Sequence, residues 1–227
     1  MVEAATFSEE EKPRFSKKKL MGDLLYSTAT SIGGLALKAF ANFKIEGKEN
    51  IPMIGKAIIT TISKNAMQDM LVISQLTGRK IHFMINPKLM KHKVAGPIFK
   101  NLGMFRSTLN KDDTEPIDKV FDYLNKRGDL VAMTPEAKRG REVQIKSMAG
   151  IIKFAIAADT PIIPVAVFNE STKLFNMIPV KGLKVKVGQP LRVEKKLNRE
   201  RYRDQRYGLA EDIVDMIEAL RKHKENE

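Results

Sequence analysis

Three features of this sequence predict an α/β fold: a single domain with a mixed, largely parallel sheet flanked by helices. Short β-rich apolar runs alternate with helical patterns from residue 57 onward. The run at 161–168 is apolar almost throughout, as expected of a strand covered on both faces. The length of 227 residues suits one substantial core but not two full domains.

In chain order, residues 1–13 are acidic and polar and are expected to fray as a disordered leader. Residues 14–43 follow as a basic and apolar element. Arg14, Lys17, Lys18 and Lys19 precede a stretch, 20–43, whose only charges are Asp23 and Lys38. Its uncharged run, 24–37, has 14 residues, short of the roughly 20 needed to span a bilayer. An amphipathic or apolar helix, or a bent pair, lying in the membrane interface fits this pattern, with the four basic residues facing anionic headgroups. A terminal helix packed on the domain's own core fits it too, and both readings stand at this point.

The α/β domain is expected over 44–227. Residues 57–62 and 81–85 read as short strands separated by a helical pattern at 68–77 that Gly78 closes. Residues 116–127 make the clearest helix. Asp113 or Thr114 can cap it, Ile117, Val120, Phe121 and Leu124 form one face, and Gly128 ends it. A buried strand at 130–133 then releases Glu136 and Arg139 into a loop, an arrangement that suits a phosphate-bearing ligand. A helix at 148–158, the apolar strand at 161–168 and an edge strand at 183–187 follow. The last helix places Leu209, Ile213, Met216, Ile217 and Leu220 on one side.

The formal charge of +13 implies attraction to a polyanion, either nucleic acid or an anionic membrane surface. The basic residues are dispersed, with no Cys/His finger or recognition helix, so a direct nucleic-acid function is the less favoured reading. Tyr202 and Tyr207 lie among arginines and can stack on bases, but a solvated charged face explains them as simply. Absence of cysteine excludes disulfides and thiolate chemistry, and three histidines leave little room for a metal centre; no metal and no resident cofactor is expected.

Several loop-end blocks, taken in order, resemble the glycerophospholipid acyltransferase family, which includes the 1-acylglycerol-3-phosphate acyltransferases. Pro135, Glu136 and Arg139 resemble its proline–glutamate–glycine–threonine–arginine–serine block, with Ala137 and Lys138 between them. Residues 160–165 resemble its proline-bracketed strand, and Gly103 with Arg106 its glycine and following arginine. Gly150 stands where the family places a glycine before that strand's helix. The family's histidine–four residues–aspartate block falls on 64–69, where Asp69 fits the aspartate and Lys64 occupies the histidine position.

The resemblance implies a site for glycerol phosphate or a lysophospholipid, with acyl-CoA or acyl carrier protein as donor. Arg106 and Arg139 are implied to clamp the phosphate, with Lys138 beside them. Glu136 is implied to hold the glycerol hydroxyl or orient an arginine, and Asp69 to orient or accept a proton. Backbone N–H groups near Pro164 are implied to polarise the carbonyl. A lysine at position 64 is the departure: the family's histidine serves as a near-neutral base, whereas an ordinary lysine is an ammonium at pH 7. His82 and His92 do not fit the block by spacing, and His82, inside a strand pattern, reads as a packed or surface residue. Two functions share this fold: acyl transfer, and phospholipid binding or scaffolding without transfer. Either places the protein at the cytoplasmic face of a membrane, peripheral or monotopic.

Overall fold

The computed structural model describes residues 17–40, 43–62, 65–93, 95–108, 112–135, 139–174 and 178–222. The leader at 1–13, Arg14, Lys64, Glu136 and Lys138 lie outside the described residues, as do the side chains of Lys17, Lys18 and Lys19.

Seven described strands build one sheet: β1 (Lys44–Glu46), β2 (Ala57–Thr60), β3 (Ile81–Ile85), β4 (Phe105–Arg106), β5 (Leu130–Met133), β6 (Ile162–Leu174) and β7 (Ile178–Val187). Their order is β1-β7-β6-β2-β5-β3-β4, and every neighbouring pair is parallel except β6 with β7. β2 lies at the centre, with Ile59 opposite Ala132 of β5 on one side and Ile163 of β6 on the other.

The helices are α1 (Lys17–Phe40), α2 (Ala66–Ile73), α3 (Pro87–Met90), α4 (Ala95–Asn101), α5 (Glu115–Phe121), α6 (Arg141–Ala157) and α7 (Arg203–Lys222). The strand pleat sends alternate residues to opposite faces. Ile58, Val131 and Ile162 enter one core with Val120, Leu124, Met148, Ile152 and Ile213 from α5, α6, α7 and the turn after α5. Ile59, Ala132 and Ile163 enter the other with Met70, Ile73 and Phe99 from α2 and α4. Each aliphatic side chain so buried contributes about 1.5–3 kcal/mol, and no face of the central strands is left to water.

The α/β architecture agrees with the sequence expectation, and β3 and β5 have the expected bounds. Several details differ: α2 runs 66–73 and ends at Ser74, short of the expected 77 and Gly78, and β2 ends at Thr60, not 62. α6 begins seven residues before the expected 148. β6 and β7 run on as a long antiparallel pair from Val165↔Val187 to Leu174↔Ile178. β7 is not an edge strand, because Lys44–Glu46 pairs alongside Lys184–Lys186. Glu46 stabilises that added edge by bridging Lys184 at 2.5 Å and Lys186 at 3.7 Å.

The described part of the basic, apolar element forms α1. Its inner side packs on the domain. Tyr26 is buried and its Oη accepts from the Ile81 N–H at 3.1 Å, while Asp23 pairs with Lys80 at 2.7 Å. Gly33 and Gly34 let α1 approach α2 closely, since a Cβ there would strike Leu71 or Gln75. Gln75 uses the approach to donate to Thr30 O at 2.9 Å. On the outer side Met21, Leu24, Ile32 and Leu35 are exposed, Leu24 by 68% and Leu35 by 71%.

Burial raises the Tyr26 phenol above its ordinary value, against the opposing Ile81 hydrogen bond. Tyr26→Phe should cost about 1–3 kcal/mol at pH 7 by stranding the buried Ile81 N–H. A tyrosine with a raised folded pKa loses its contribution as pH climbs above the ordinary value near 10, because the unfolded chain ionises first. The stability difference between the natural chain and the variant should therefore shrink above about pH 10, as urea denaturation across pH 7–11 would measure.

Candidate functional site

In open α/β sheets, ligands bind in the crevice outside the carboxyl ends of the strands, where connections diverge. Here that point is β2. From it the chain passes through α2 to β3 on one side, while α6 carries it across the opposite face from β5 to β6. The loops after β2, β3, β4 and β5 therefore share one end of the sheet.

After β2, Asn65 caps α2: its side chain accepts from Gln68 N at 3.3 Å, and its carbonyl accepts from Asp69 N at 2.9 Å. Asp69 is thereby set in the helix's first turn, buried, where the positive end of the helix dipole favours a carboxylate. Beside it stands a residue that sequence reasoning missed. Arg221, in the last turn of α7, donates from Nη2 to the Ile62 carbonyl, where the chain leaves β2. Burial pushes the Arg221 guanidinium below its ordinary value, and the charges of Asp69 and Glu218 oppose that shift.

A cleft of about 590 Å³ opens between the ends of β3, β4 and β5 and the first half of α6. Its polar lining is Asn86, Lys88, Ser107, Thr108, Thr134, Arg139 and Ser147. Arg139, in the loop after β5, is among the residues that line it. Gly140 follows it with φ +82, a left-handed backbone that glycine adopts without strain, and turns the chain into α6. Lys88 sits on α3, just after β3. Sequence reasoning had placed it in a run of dispersed charge, and its position shortly after a strand end was the available signal.

Arg106 lies elsewhere. Its guanidinium forks onto Asp113, with Nη2–Oδ1 at 2.9 Å, and also meets Glu115 at 2.6 Å. The Asp113 hydrogen bond raises the Arg106 pKa further. Lys119 first and Arg106 second hold the Glu115 carboxyl below the usual carboxylate range. The arginine therefore secures the sheet edge, while its neighbours Ser107 and Thr108 line the cleft.

His82 is packed, one of the two placements its strand pattern allowed. Its ring stacks on Tyr123 with centroids 3.7 Å apart, Nε2 meets Asp129 at 2.9 Å and Nδ1 meets Gly103 O at 3.0 Å. It belongs to the opposite end of the sheet. A larger, polar cleft of about 780 Å³ also lies there, between α1 and the starts of β3 and β5, far from the diverging strand ends. An apolar cavity of about 150 Å³ lies between α1, α2 and α4, walled by Met70, Leu71, Phe83, Phe99 and Leu102. Among the described residues, no three His, Asp or Glu side chains form a group that could hold a metal ion, and no helix is long and apolar enough to cross a membrane.

A model of the acyltransferase family matches residues 42–168, more than half of the chain and all of the loops just described. The chain belongs to the acyltransferase family. Its fold is also similar to the crystal structure of the 1-acyl-sn-glycerophosphate (LPA) acyltransferase PlsC from Thermotoga maritima. The TM-score is 0.61 over 94% of this chain and 86% of that one, at 15% identity, a likeness of fold. A search of curated proteins finds no match. α7 and its Arg221 lie beyond the part of this acyltransferase-family chain that the family model covers.

Proposed function

We propose that this acyltransferase-family protein binds glycerol phosphate or a lysophospholipid at the anionic, cytoplasmic face of a membrane. Acyl transfer by the natural chain is absent or very slow at pH 7. The observation that carries the binding reading is the cleft at the diverging strand ends, where Lys88 and Arg139 face four hydroxyl side chains. Two cations neutralise a phosphate, and hydroxyls supply further donors for its oxygens and the glycerol. Arg106 can join them only by exchanging a carboxylate for the phosphate. Glu136 and Lys138, which flank this loop in sequence, are assigned to the glycerol hydroxyl and the headgroup. The apolar cavity beside α1 offers room for part of an acyl chain.

The slow-transfer reading rests on Lys64. Attack by a glycerol hydroxyl on the thioester of acyl-CoA or acyl carrier protein requires a base to take its proton. A positioned base typically contributes ~10²–10⁴-fold. An ordinary lysine, titrating near 10.4, is already protonated at pH 7 and supplies none of this. An aspartate at its ordinary pKa near 3.9 is a weak base.

Membrane contact is assigned to α1. Its basic start faces headgroups, and Met21, Leu24, Ile32 and Leu35 enter the interface. Met53 and Ile54, exposed by 89% and 91% on the loop before β2, add an apolar tip. Arg79 holds that loop by donating to Pro52 O at 2.8 Å and Gly55 O at 2.7 Å.

Three measurements test these assignments. In an acyl-transfer assay over pH 6–10 with glycerol 3-phosphate and lysophosphatidate, the natural chain should be nearly silent at pH 7 and Lys64→His should gain activity. Turnover by the natural chain near ~1 s⁻¹, within the ordinary enzyme range, overturns the slow-transfer reading.

Arg139→Ala should weaken binding of a soluble short-chain lysophosphatidate by about 1.5–3 kcal/mol, and Arg139→Lys should recover part of it. Calorimetry showing equal affinity in all three chains rejects Arg139 as a phosphate ligand.

Joint Leu24→Ser and Leu35→Ser substitution should reduce anionic-vesicle binding by about tenfold or more, since burying each leucine is worth about 1.5–3 kcal/mol. These positions face away from the domain, so the folded core survives, whereas truncation would also remove Tyr26. Unchanged vesicle binding, or steep salt-dependent binding to duplex DNA instead, moves the basic charge to another partner.

A further inference from the structure

The last helix reaches the loop after β2 from outside the family-matched region. Three observations converge on Arg221. Its Nη2 donates to the carbonyl of Ile62, across 159 positions of sequence, at the point where β2 gives way to residues 63–65. Its charge and that of Asp69, in the first turn of α2, act on one another. Its Nε is buried with no hydrogen-bond partner among the described residues.

The helix that carries it is held in place independently. Arg141, in the first turn of α6 and two residues after Arg139, contacts Asp215 at 2.7 Å, Glu211 at 3.1 Å and Glu218 at 3.8 Å, all on α7. Ile213, Val214 and Ile217 bury the other side of α7 in the core. One helix therefore touches both the loop after β2 and the start of α6 that follows the loop after β5.

We propose that Arg221 is a positioning residue of the site assigned above. It clamps the backbone just beyond β2 through the Ile62 carbonyl, so that Asn65 and the first turn of α2, which carries Asp69, keep one arrangement beside the site. The clamp suits arginine for a geometric reason. A guanidinium presents several N–H groups in a fixed plane, so one can serve a carbonyl while the charge remains beside a carboxylate. A lysine ammonium in the same place retains the charge without the fork.

The proposal rests on the lipid-site reading for its functional consequence but not for its structural one, and the test separates the two. Amide hydrogen exchange, the Asp69 side-chain carboxyl resonance and calorimetric affinity for short-chain lysophosphatidate are compared in the full chain, Arg221→Ala, Arg221→Lys and the control Arg141→Ala. Loss of one charged hydrogen bond corresponds to about tenfold or more in an opening equilibrium. Arg221→Ala should raise exchange at the amides of 65–69 by about that factor, shift the Asp69 resonance and weaken lysophosphatidate binding. Arg221→Lys should largely restore the Asp69 resonance while leaving exchange raised. Arg141→Ala should leave the 65–69 amides and Asp69 as they are. Unchanged exchange and an unmoved Asp69 resonance in Arg221→Ala overturn the positioning role. So does an effect that Arg141→Ala reproduces in full, because that pattern reports only the docking of α7. If α7 itself loses protection in the alanine variant, the lysine variant decides: natural exchange at 65–69 overturns the clamp, and raised exchange upholds it. Altered exchange and resonance in a protein that binds no lysophosphatidate in any form uphold Arg221 and overturn the lipid-site reading instead.

Discussion

A parallel strand buried on both faces can offer chemistry only where it ends. β2 is in that position: β5 and β6 take its backbone hydrogen bonds, and two separate cores take its alternating side chains. β5 beside it is buried as fully, and β3 on the far side of β5 almost so. With these strands paired in the sheet and buried on both faces, polar side chains gather in the loops at the strand ends. The amino ends are covered by α1, through Tyr26 and the Asp23–Lys80 pair. The carboxyl ends remain open, and Asp69, Lys88, Arg139 and Arg221 all lie there.

The high positive charge divides into groups with different roles. Arg106 and Arg141 are committed to acidic partners at the sheet edge and on α7. Arg79 and the buried Arg206 serve backbone carbonyls, Arg206 donating to Leu197 O at 2.7 Å. These arginines replace missing local hydrogen bonds in loops, a task their fixed fork performs better than an ammonium. Such commitments show why net charge alone is a poor guide to the partner: much of it is spent inside the fold. The cations lining the cleft are fewer, and they lie where the strands diverge.

The extent to which the fold was legible depended on how local each signal was. β3 and β5 are uninterrupted apolar runs with clear breaks, and the pattern alone located them. The start of α6 was missed because residues 141–147 read as polar surface; only Gln144 among them is buried, and Arg141 owes its place to acids some 70 positions away. β1 was invisible for a similar reason, since three residues become a strand only by lying beside β7. The candidate site shows the same division. Asp69 and Arg139 could be found because strand ends and helix starts are written in adjacent residues. Arg106 was found, but its engagement with Asp113 and Glu115 depends on side-chain geometry that spacing does not encode. Arg221 carried no local sign, because its carbonyl partner lies 159 positions away in sequence.

The contact between Arg221 and Ile62 also imposes an order in time. Synthesis runs from β2 toward α7, so β2 emerges with both of its flanking positions vacant and must await β5 and then β6 before it is hydrogen-bonded on either side. Contacts of such long sequence separation form slowly, and an unpaired apolar strand is a hazard while it waits. The Ile62 carbonyl gains its Arg221 donor only once α7 has docked. Docking of α7 should thus be the last event of maturation, after compaction and after most secondary structure. A nascent or partly folded chain would be a candidate for chaperone capture long before that helix is in place.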